Sequence, residues 1–187
     1  VRTSNGRSSV KRARIRSGIC STDARARTRS GTSSSGGGAP GIHLSNLTGA
    51  GFTVTGLGAV AGSGGTIANK TGADGADDGN GVVLDGVSNV SLANMVIANA
   101  SNFGIRGDDV AGFTLRDSTV SGHGTSIVSE GAIYFAGLTG TALIEGNLIA
   151  GGSADNMRVI NSAGALNLQV NDSAANAAVF GSNGLNG

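Results

Sequence analysis

The sequence predicts an all-β solenoid, a fold in which short strands wind through successive turns of similar length. Three features of the 187-residue chain support this prediction: 34 residues are glycine, apolar residues alternate in short runs between Gly, Asn and Asp, and the runs recur about every 23 residues. Because a glycine in a helix interior costs up to about 1 kcal/mol, glycines at this density disfavour long helices. No apolar run approaches the roughly 18 residues that indicate a membrane-spanning helix, so no membrane span is expected.

The first forty residues differ in composition from the rest of the chain. Residues 1–40 hold nine basic residues and one acid, whereas residues 41–187 hold four basic and eleven acidic residues. All six aromatic residues lie after residue 40. Residues 1–40 are therefore predicted to form a disordered basic tail, which the linker-like run SSSGGGAPG at 33–41 joins to a domain at 41–187.

Three interpretations of the tail stay open. The favoured one is an out-of-frame or misassigned start, because Arg, Ser, Thr and Gly in irregular order are what a GC-rich gene yields in the wrong frame. The others are a solvated linker and an anion-binding segment centred on KRARIR at 11–16, although nucleic acid is not expected as a partner. No apolar stretch follows the charges, so no secretory signal is visible. The single cysteine, Cys20, excludes an internal disulfide framework.

The repeat is clearest between residues 81–97 and 104–120. A shift of 23 residues superimposes their apolar positions, with Leu84 on Gly107 as the mismatch. The superimposed pairs are Val82 and Ile105, Val87 and Val110, Val90 and Phe113, Leu92 and Leu115, and Ile97 and Val120. A third copy begins near Gly131, after a loop insertion at 125–130. With a rung in 41–80 and another starting in 157–170, about five rungs are expected.

The strings GVVLDGVSNVSLANMVI at 81–97 and GIRGDDVAGFTLRDSTV at 104–120 resemble the right-handed parallel β-helix repeat of the pectin-lyase-like superfamily. The resemblance covers roughly residues 41–180 and implies rungs stacked about 4.8 Å apart, with inward residues in columns. Asn94 and Asp117 then fall at a corner, where their side chains suit non-strand backbone. Because neither end shows a hydrophobic cap, we expect an uncapped interior segment of a longer protein.

The run GADGADDGNG at 72–81 is the candidate metal site. It carries Asp74, Asp77, Asp78 and Asn80, and calcium prefers flexible cages of oxygen ligands. The run resembles one imperfect copy of the calcium-binding glycine/aspartate nonapeptide repeat, which acts in tandem copies. A solvated acidic turn is the preferred interpretation, and no cofactor other than calcium is considered.

Two short strings resemble motifs of polygalacturonase-type glycoside hydrolases: GDD, which contains Asp108 and Asp109, and GHG around His123. That resemblance implies these three residues as catalytic candidates and Arg158 as a substrate-binding arginine. Side chains of a solenoid share a cleft when they lie one rung apart, but Asp109 and His123 are only 14 residues apart. Hydrolysis also needs carboxyl groups on both sides of the scissile bond. The preferred interpretation is that these are turn residues.

The sequence gives little support for carbohydrate binding or for lyase chemistry. Sugar sites tend to carry exposed aromatic rings, and Tyr134 and Phe135 are the adjacent aromatic pair, but strand alternation points one of them into the core. A lyase needs a basic residue beside clustered acids, and neither Arg106 nor Arg158 has an acidic cluster in register. No convergent catalytic set is therefore visible.

The sequence predicts a non-enzymatic structural or adhesive segment of a bacterial secreted or cell-surface protein. Its expected partners are neighbouring rungs of a longer β-helix and a polysaccharide or host-surface ligand. The alternative is a fragment of a polysaccharide lyase or polygalacturonase-like glycoside hydrolase whose active rungs lie outside this segment. The two differ in whether acids and bases line up one rung apart on one face.

Overall fold

The described part of the protein is all-β, and its paired strands run parallel. The computed structural model describes residues 26–29, 32–58, 60–125, 130–171 and 179–180, and no helix occurs among them. None of these residues forms a helix that could cross a membrane. The strands are β1 (Ala26–Arg29), β2 (Thr32–Ser35), β3 (Ile42–Ser45), β4 (Phe52–Thr55), β5 (Gly65–Ala68), β6 (Val82–Ala93), β7 (Met95–Ala98), β8 (Ile105–Arg116), β9 (Thr119–His123), β10 (Gly131–Glu145), β11 (Leu148–Gly152), β12 (Asp155–Ile160), β13 (Leu166–Asn171) and β14 (Val179–Phe180).

The strands form two parallel sheets, and the chain alternates between them. One sheet has the order β1-β4-β6-β8-β10-β12, with β3 paired to β6 and β13 paired to β10; the other has the order β14-β11-β9-β7-β5-β2. Each long strand, β6, β8 or β10, is followed by a short strand of the other sheet. Strands that are neighbours in one sheet therefore lie one repeat apart in the sequence. The winding of this arrangement into a right-handed β-helix stays a prediction.

The strand register confirms the alignment of the repeats. Val82 pairs with Ile105, Val90 with Phe113 and Leu92 with Leu115 across β6 and β8, and Ile97 pairs with Val120 across β7 and β9. The third copy also pairs as expected, with Ile133 opposite Ile105 and Ala142 opposite Phe113. A register shift between Thr139 and Ala142 adds one residue to β10 relative to β8.

Apolar residues of both sheets form one core. Leu92 and Leu115 of the first sheet and Ile97 and Val120 of the second belong to the same cluster of buried side chains. Because successive strand residues point to opposite faces, these inward residues alternate with exposed or half-buried ones. The outward positions of β8 and β10 are thereby left to present polar and aromatic side chains.

Left-handed backbone recurs at matching positions of successive repeats. The predicted corner is confirmed, since Asn94 and Asp117 have φ of 55° and 48°. A second set follows the paired residues Ser45, Asp85, Asp108 and Ala136, and consists of Asn46, Gly86, Asp109 and Gly137, with φ between 52° and 80°. Asn and Asp adopt this backbone more readily than other side chains do, and Gly adopts it without strain. Asp109 therefore has left-handed backbone within β8, so the interpretation of it as a turn residue outside the strands is wrong.

The paired strands begin before residue 41, within the segment that composition assigns to a disordered tail. Strand β1 pairs with β4, and β2 pairs with β5. The buried Lys70 supports β2, because its Nζ donates to Ser34 Oγ at 2.7 Å and to the Gly36 carbonyl at 2.9 Å. Backbone pairing needs no apolar side chains, which is why composition does not reveal these strands. The domain boundary at residue 40 stays a prediction, and residues 1–25, including Cys20, lie outside the described residues.

Candidate functional site

A cleft of about 480 Å³ opens over the first halves of β8, β10 and β12. It collects side chains from three strands, from the 72–81 run and from the residues that lead into β8 and β10. The lining residues are Asp74, Gly75, Phe103, Arg106, Glu130, Tyr134 and Arg158. Two of them, Asp74 and Arg158, are candidates that the sequence analysis proposed for separate roles.

Three outward residues stand in one column along the floor of the cleft. Tyr134 lies directly opposite Arg106 on one side and Arg158 on the other, so the three follow one another across adjacent parallel strands. Strands in a sheet are about 4.8 Å apart, which sets the spacing of the column. The preceding residues Ile105 and Ile133 are buried, so Arg106 and Tyr134 point outward. We call Arg106, Tyr134 and Arg158 the outward column.

Phe103 provides an aromatic partner for the outward column. Its ring stacks on that of Tyr134, with centroids 5.2 Å apart and planes inclined by 28°. The sequence analysis paired Tyr134 with Phe135 instead. Phe135 is fully buried and meets Phe113 edge to face at a centroid distance of 4.9 Å, so it is the core member of that pair. Phe103 lies in the turn before β8, where strand alternation gives no information about its orientation.

Arg106 is held by two carboxylates. Its Nη1 lies 3.2 Å from Asp77 Oδ1, and its Nε lies 3.2 Å from Asp108 Oδ2. Ion pairs this exposed contribute only about 0–1 kcal/mol each. Their main effect is to fix the guanidinium group and to tie the 72–81 run to β8. The acidic neighbours of Arg106, which do not lie in register with it in the sequence, are Asp77 of this run and Asp108 of β8.

The four candidate calcium ligands have different environments. Asp74 lines the cleft, Asp77 binds Arg106, and Asp78 is exposed. Asn80 is fully buried: its Nδ2 donates to the carbonyls of Ala76 at 2.8 Å and Asp77 at 2.9 Å. Among the described residues, no group of three or more His, Cys, Asp or Glu is placed to hold a metal ion. The calcium site stays a prediction.

Buried asparagines give the 72–81 run its shape. Asn80 Oδ1 accepts the backbone N–H of Phe103 at 2.9 Å, which positions the aromatic residue of the cleft. Asn102, also fully buried, donates through Nδ2 to the carbonyls of Ala73 at 2.8 Å and Asp78 at 2.9 Å. From the sequence, Asn80 is only a candidate calcium ligand, with a solvated turn preferred, and Asn102 is not identified. The run is therefore an ordered wall of the cleft, held from inside by amide groups.

The structure separates the three catalytic candidates suggested by the hydrolase-like strings. Asp108 binds Arg106 beside the cleft, and Asp109 is exposed at a left-handed position within β8. All three candidates lie in strands and not in turns, since His123 ends β9. His123 is buried in the core, where its Nδ1 accepts the N–H of Ala100 and its Nε2 donates to the Ile97 carbonyl, both at 3.1 Å. Burial lowers the pKa of His123 to about 4, so the ring is neutral at pH 7. Both ring nitrogens are engaged by backbone groups.

Glu130 is a cleft residue that the sequence analysis missed. It is buried, and its Oε2 accepts the N–H of Thr125 at 2.8 Å. Its backbone carbonyl accepts the N–H of Ala154 at 2.8 Å, which joins the residue to the next repeat. Because it ends the inserted stretch 125–130, the 23-residue period does not place it. The sequence feature that could have identified Glu130 is its position, as an acidic residue immediately before an apolar strand.

Comparisons with known proteins leave the chain without a family. No family model matches it, and no curated protein matches it. Among solved structures, it is similar to a protein from Parabacteroides merdae that is named provisionally as a glycosyl hydrolase, with 9% sequence identity, 83% of each chain covered and a TM-score of 0.34. A likeness at this level carries no argument about function. What the protein does must therefore be inferred from the cleft.

Proposed function

We propose that this chain winds as a right-handed parallel β-helix and serves as a non-catalytic, carbohydrate-binding segment of a bacterial secreted or cell-surface protein. The observation that carries the proposal is the cleft in which Tyr134 stacks on Phe103, flanked in the outward column by Arg106 and Arg158.

The strand order supports the winding. Parallel neighbours in a sheet need a crossover connection, and here each crossover passes through a strand of the other sheet. Crossovers between parallel strands are right-handed in nearly all proteins. Left-handed residues at matching positions of successive repeats are what a coil of constant cross-section requires. The shared core of the two sheets agrees with this arrangement.

The cleft supplies the groups that sugar binding uses. An aromatic ring contacts the apolar face of a sugar over a large area, and Tyr134 is held in place by Phe103 for such a contact. Arg158 carries N–H donors for hydroxyl oxygens, and the exposed carboxylate of Asp74 is an acceptor for hydroxyl protons. Small-molecule sites typically combine a mostly apolar wall with a few such polar groups. Binding without chemical change would suit a structural or adhesive segment.

The placement outside the cell rests on composition. Residues 41–187 are acidic, rich in small side chains and free of cysteine, which fits a repetitive stalk or adhesive segment of a secreted or cell-surface bacterial protein. Successive rungs of a longer β-helix would then continue the two sheets. Polysaccharide or a host-surface glycan is the ligand class that the cleft chemistry favours.

The second candidate is a fragment of a polysaccharide lyase or polygalacturonase-like glycoside hydrolase. It is favoured by the presence of Arg158 in the same cleft as the carboxyl groups of Asp74 and Glu130, since glycoside cleavage uses a pair of carboxyl groups. The engagement of His123 and Arg106 in internal contacts favours the non-catalytic proposal instead.

Tyrosine fluorescence provides a direct test of binding. Tyr134 is the single tyrosine of the chain and tryptophan is absent, so the intrinsic emission comes from the cleft. Titration of the full chain with a panel of soluble oligosaccharides should change this emission, and Tyr134→Phe should abolish the signal while calorimetry still detects binding. Arg158→Gln alters the arginine that donates in the cleft and should weaken binding. Its control is Arg116→Gln, which alters an arginine of β8 outside the cleft. Absence of binding to every glycan would overturn the proposal.

Catalysis is assayed on the same panel by reducing-end release and by the ultraviolet absorbance of unsaturated products. Binding without turnover supports the non-catalytic function. Turnover that Glu130→Gln removes, in a variant with unchanged thermal stability, would establish the second candidate instead.

A further inference from the structure

We infer that the cleft takes an uncharged saccharide rather than a polyuronide; this inference rests on the proposed carbohydrate-binding function. It follows from the balance of charge around the outward column and from the groups that remain available for hydrogen bonding.

Carboxyl groups outnumber guanidinium groups at the cleft. Arg106 and Arg158 line it together with Asp74 and Glu130, and two further carboxylates, those of Asp77 and Asp108, bind Arg106 at its edge. Arg106 is therefore already engaged by two anions and has little attraction left for a third. A carboxylate-bearing sugar would meet the exposed carboxylate of Asp74, the two carboxylates paired with Arg106, and one arginine that is not held by an acid.

Arg158 is that available arginine. Among the described residues, no acidic side chain lies within salt-bridge distance of it, and it is exposed. One exposed guanidinium group offers a fork of donors to hydroxyl oxygens. It does not match the charge of a ligand that presents a carboxylate on every sugar ring.

The charge of the surrounding domain acts in the same direction. Residues 41–187, which contain the cleft, hold eleven acidic and four basic residues, so the local field is negative, whereas the basic residues 1–40 bring the formal net charge of the whole chain to +1. Such a field repels a polyanion and slows its association, whereas an uncharged ligand is unaffected. The repulsion is screened by salt, which gives an experimental handle.

An uncharged saccharide suits the exposed groups of the cleft. Its apolar ring face suits the ring of Tyr134 that Phe103 supports, and its hydroxyl protons suit the exposed carboxylate of Asp74. Arg158 donates to a hydroxyl or ring oxygen from the far end of the column. A volume of about 480 Å³ lies in the range of small-molecule sites and limits the contact to a short stretch of a longer glycan.

The test compares uncharged oligosaccharides with oligogalacturonate of equal length by calorimetry on the full chain, at low and high salt. We expect an uncharged oligosaccharide to bind with an affinity that salt changes little, and Tyr134→Ala to weaken it about tenfold or more. Binding of oligogalacturonate alone, with an affinity that falls as salt rises and that Tyr134→Ala weakens, would overturn the inference and leave the proposed function standing. Binding of no saccharide at all would overturn both.

One substitution should change the affinities for the uncharged and the charged ligand in opposite directions. Asp74→Asn removes one exposed carboxylate, so it should weaken the uncharged ligand and strengthen oligogalacturonate, each about threefold to tenfold. Asp117→Asn is the matched control, because it makes the same charge change at an exposed turn that does not line the cleft. Equal effects of the two substitutions, or loss of both ligands in Asp74→Asn, would contradict the assigned role of Asp74.

Discussion

Phe135 occupies the space that a side chain at Gly107 would need. The two residues lie opposite each other on β10 and β8, and a Cβ atom added at Gly107 would collide with the ring of Phe135. Phe135 in turn packs edge to face on Phe113. The position at which the first two repeats disagree, Leu84 against Gly107, is thus where the third repeat brings in a large ring.

We predict that Gly107→Ala lowers the free energy of unfolding by about 1–3 kcal/mol, because the added methyl group forces the Phe135 ring out of its packed position. Urea unfolding followed by circular dichroism measures the change. Ala111→Val, an enlargement at an exposed position of the same strand, should have little effect. In a double-mutant cycle, Phe135→Leu should reduce the cost of Gly107→Ala, and strictly additive effects would show that the two sites do not compete for space.

His123 should make stability depend on pH. Its pKa is about 4 in the folded chain and about 6.5 when unfolded, so below pH 6.5 the unfolded state takes up a proton that the folded state excludes. Stability is therefore lost as the pH falls from 6.5 towards 4, by about 3 kcal/mol in total. Urea titrations at several pH values should show this loss in the natural chain. The slope should be shallower in His123→Gln, and identical slopes would contradict the buried neutral ring.

Lys70 should control the local stability of β2. Lys70→Met removes the donors to Ser34 Oγ and the Gly36 carbonyl, two bonds to a charged group worth about 1.5–3 kcal/mol each. We expect hydrogen exchange of the Thr32–Ser35 amides to accelerate by tenfold or more, while the amides of β8 keep their protection. Unchanged exchange in β2 would mean that strand pairing with β5 suffices to hold it.

Asn80 should act as a positioning residue for the cleft. Asn80→Ala leaves the Phe103 N–H without its partner and removes one donor each from the Ala76 and Asp77 carbonyls, so stability should fall by about 1–3 kcal/mol. The emission of Tyr134 should change as Phe103 leaves its stacked position. Asn167→Ala, on the exposed strand β13, serves as the matched control. An unchanged tyrosine signal in a destabilised Asn80→Ala protein would limit Asn80 to a structural role.

The stacked core positions and the left-handed corner residues could be predicted from the sequence. Pairs such as Val90 and Phe113 follow from a 23-residue period because inward positions must stack for the strands to share hydrogen bonds. The left-handed turns at Asn94 and Asp117 follow from the intrinsic preference of those side chains. The repeat of apolar positions and the turn preference of Asn and Asp are periodic or local features. A single sequence is therefore enough to detect them.

The cleft depends on contacts that break the period. The insertion at 125–130 separates Tyr134 from Arg106 by more than one period, so their shared column is hidden in the sequence. Phe103 and Asp77 reach the site from turns, whose side-chain directions do not follow strand alternation. The sequence offers Asn80 as a candidate metal ligand because its side chain carries an oxygen atom. Its burial depends on the fold and cannot be predicted from the sequence. Only the folded backbone shows that its amide points inward.

The outward column has a constant spacing between its residues. Backbone hydrogen bonding between the strands sets this spacing at about 4.8 Å, so it does not change when the side chains of the exposed face change. Duplication of a repeat would lengthen such a face by whole multiples of this spacing. If the proposed glycan binding holds, each added repeat would add a site in line with the first, and weak contacts would combine into strong attachment through multivalency.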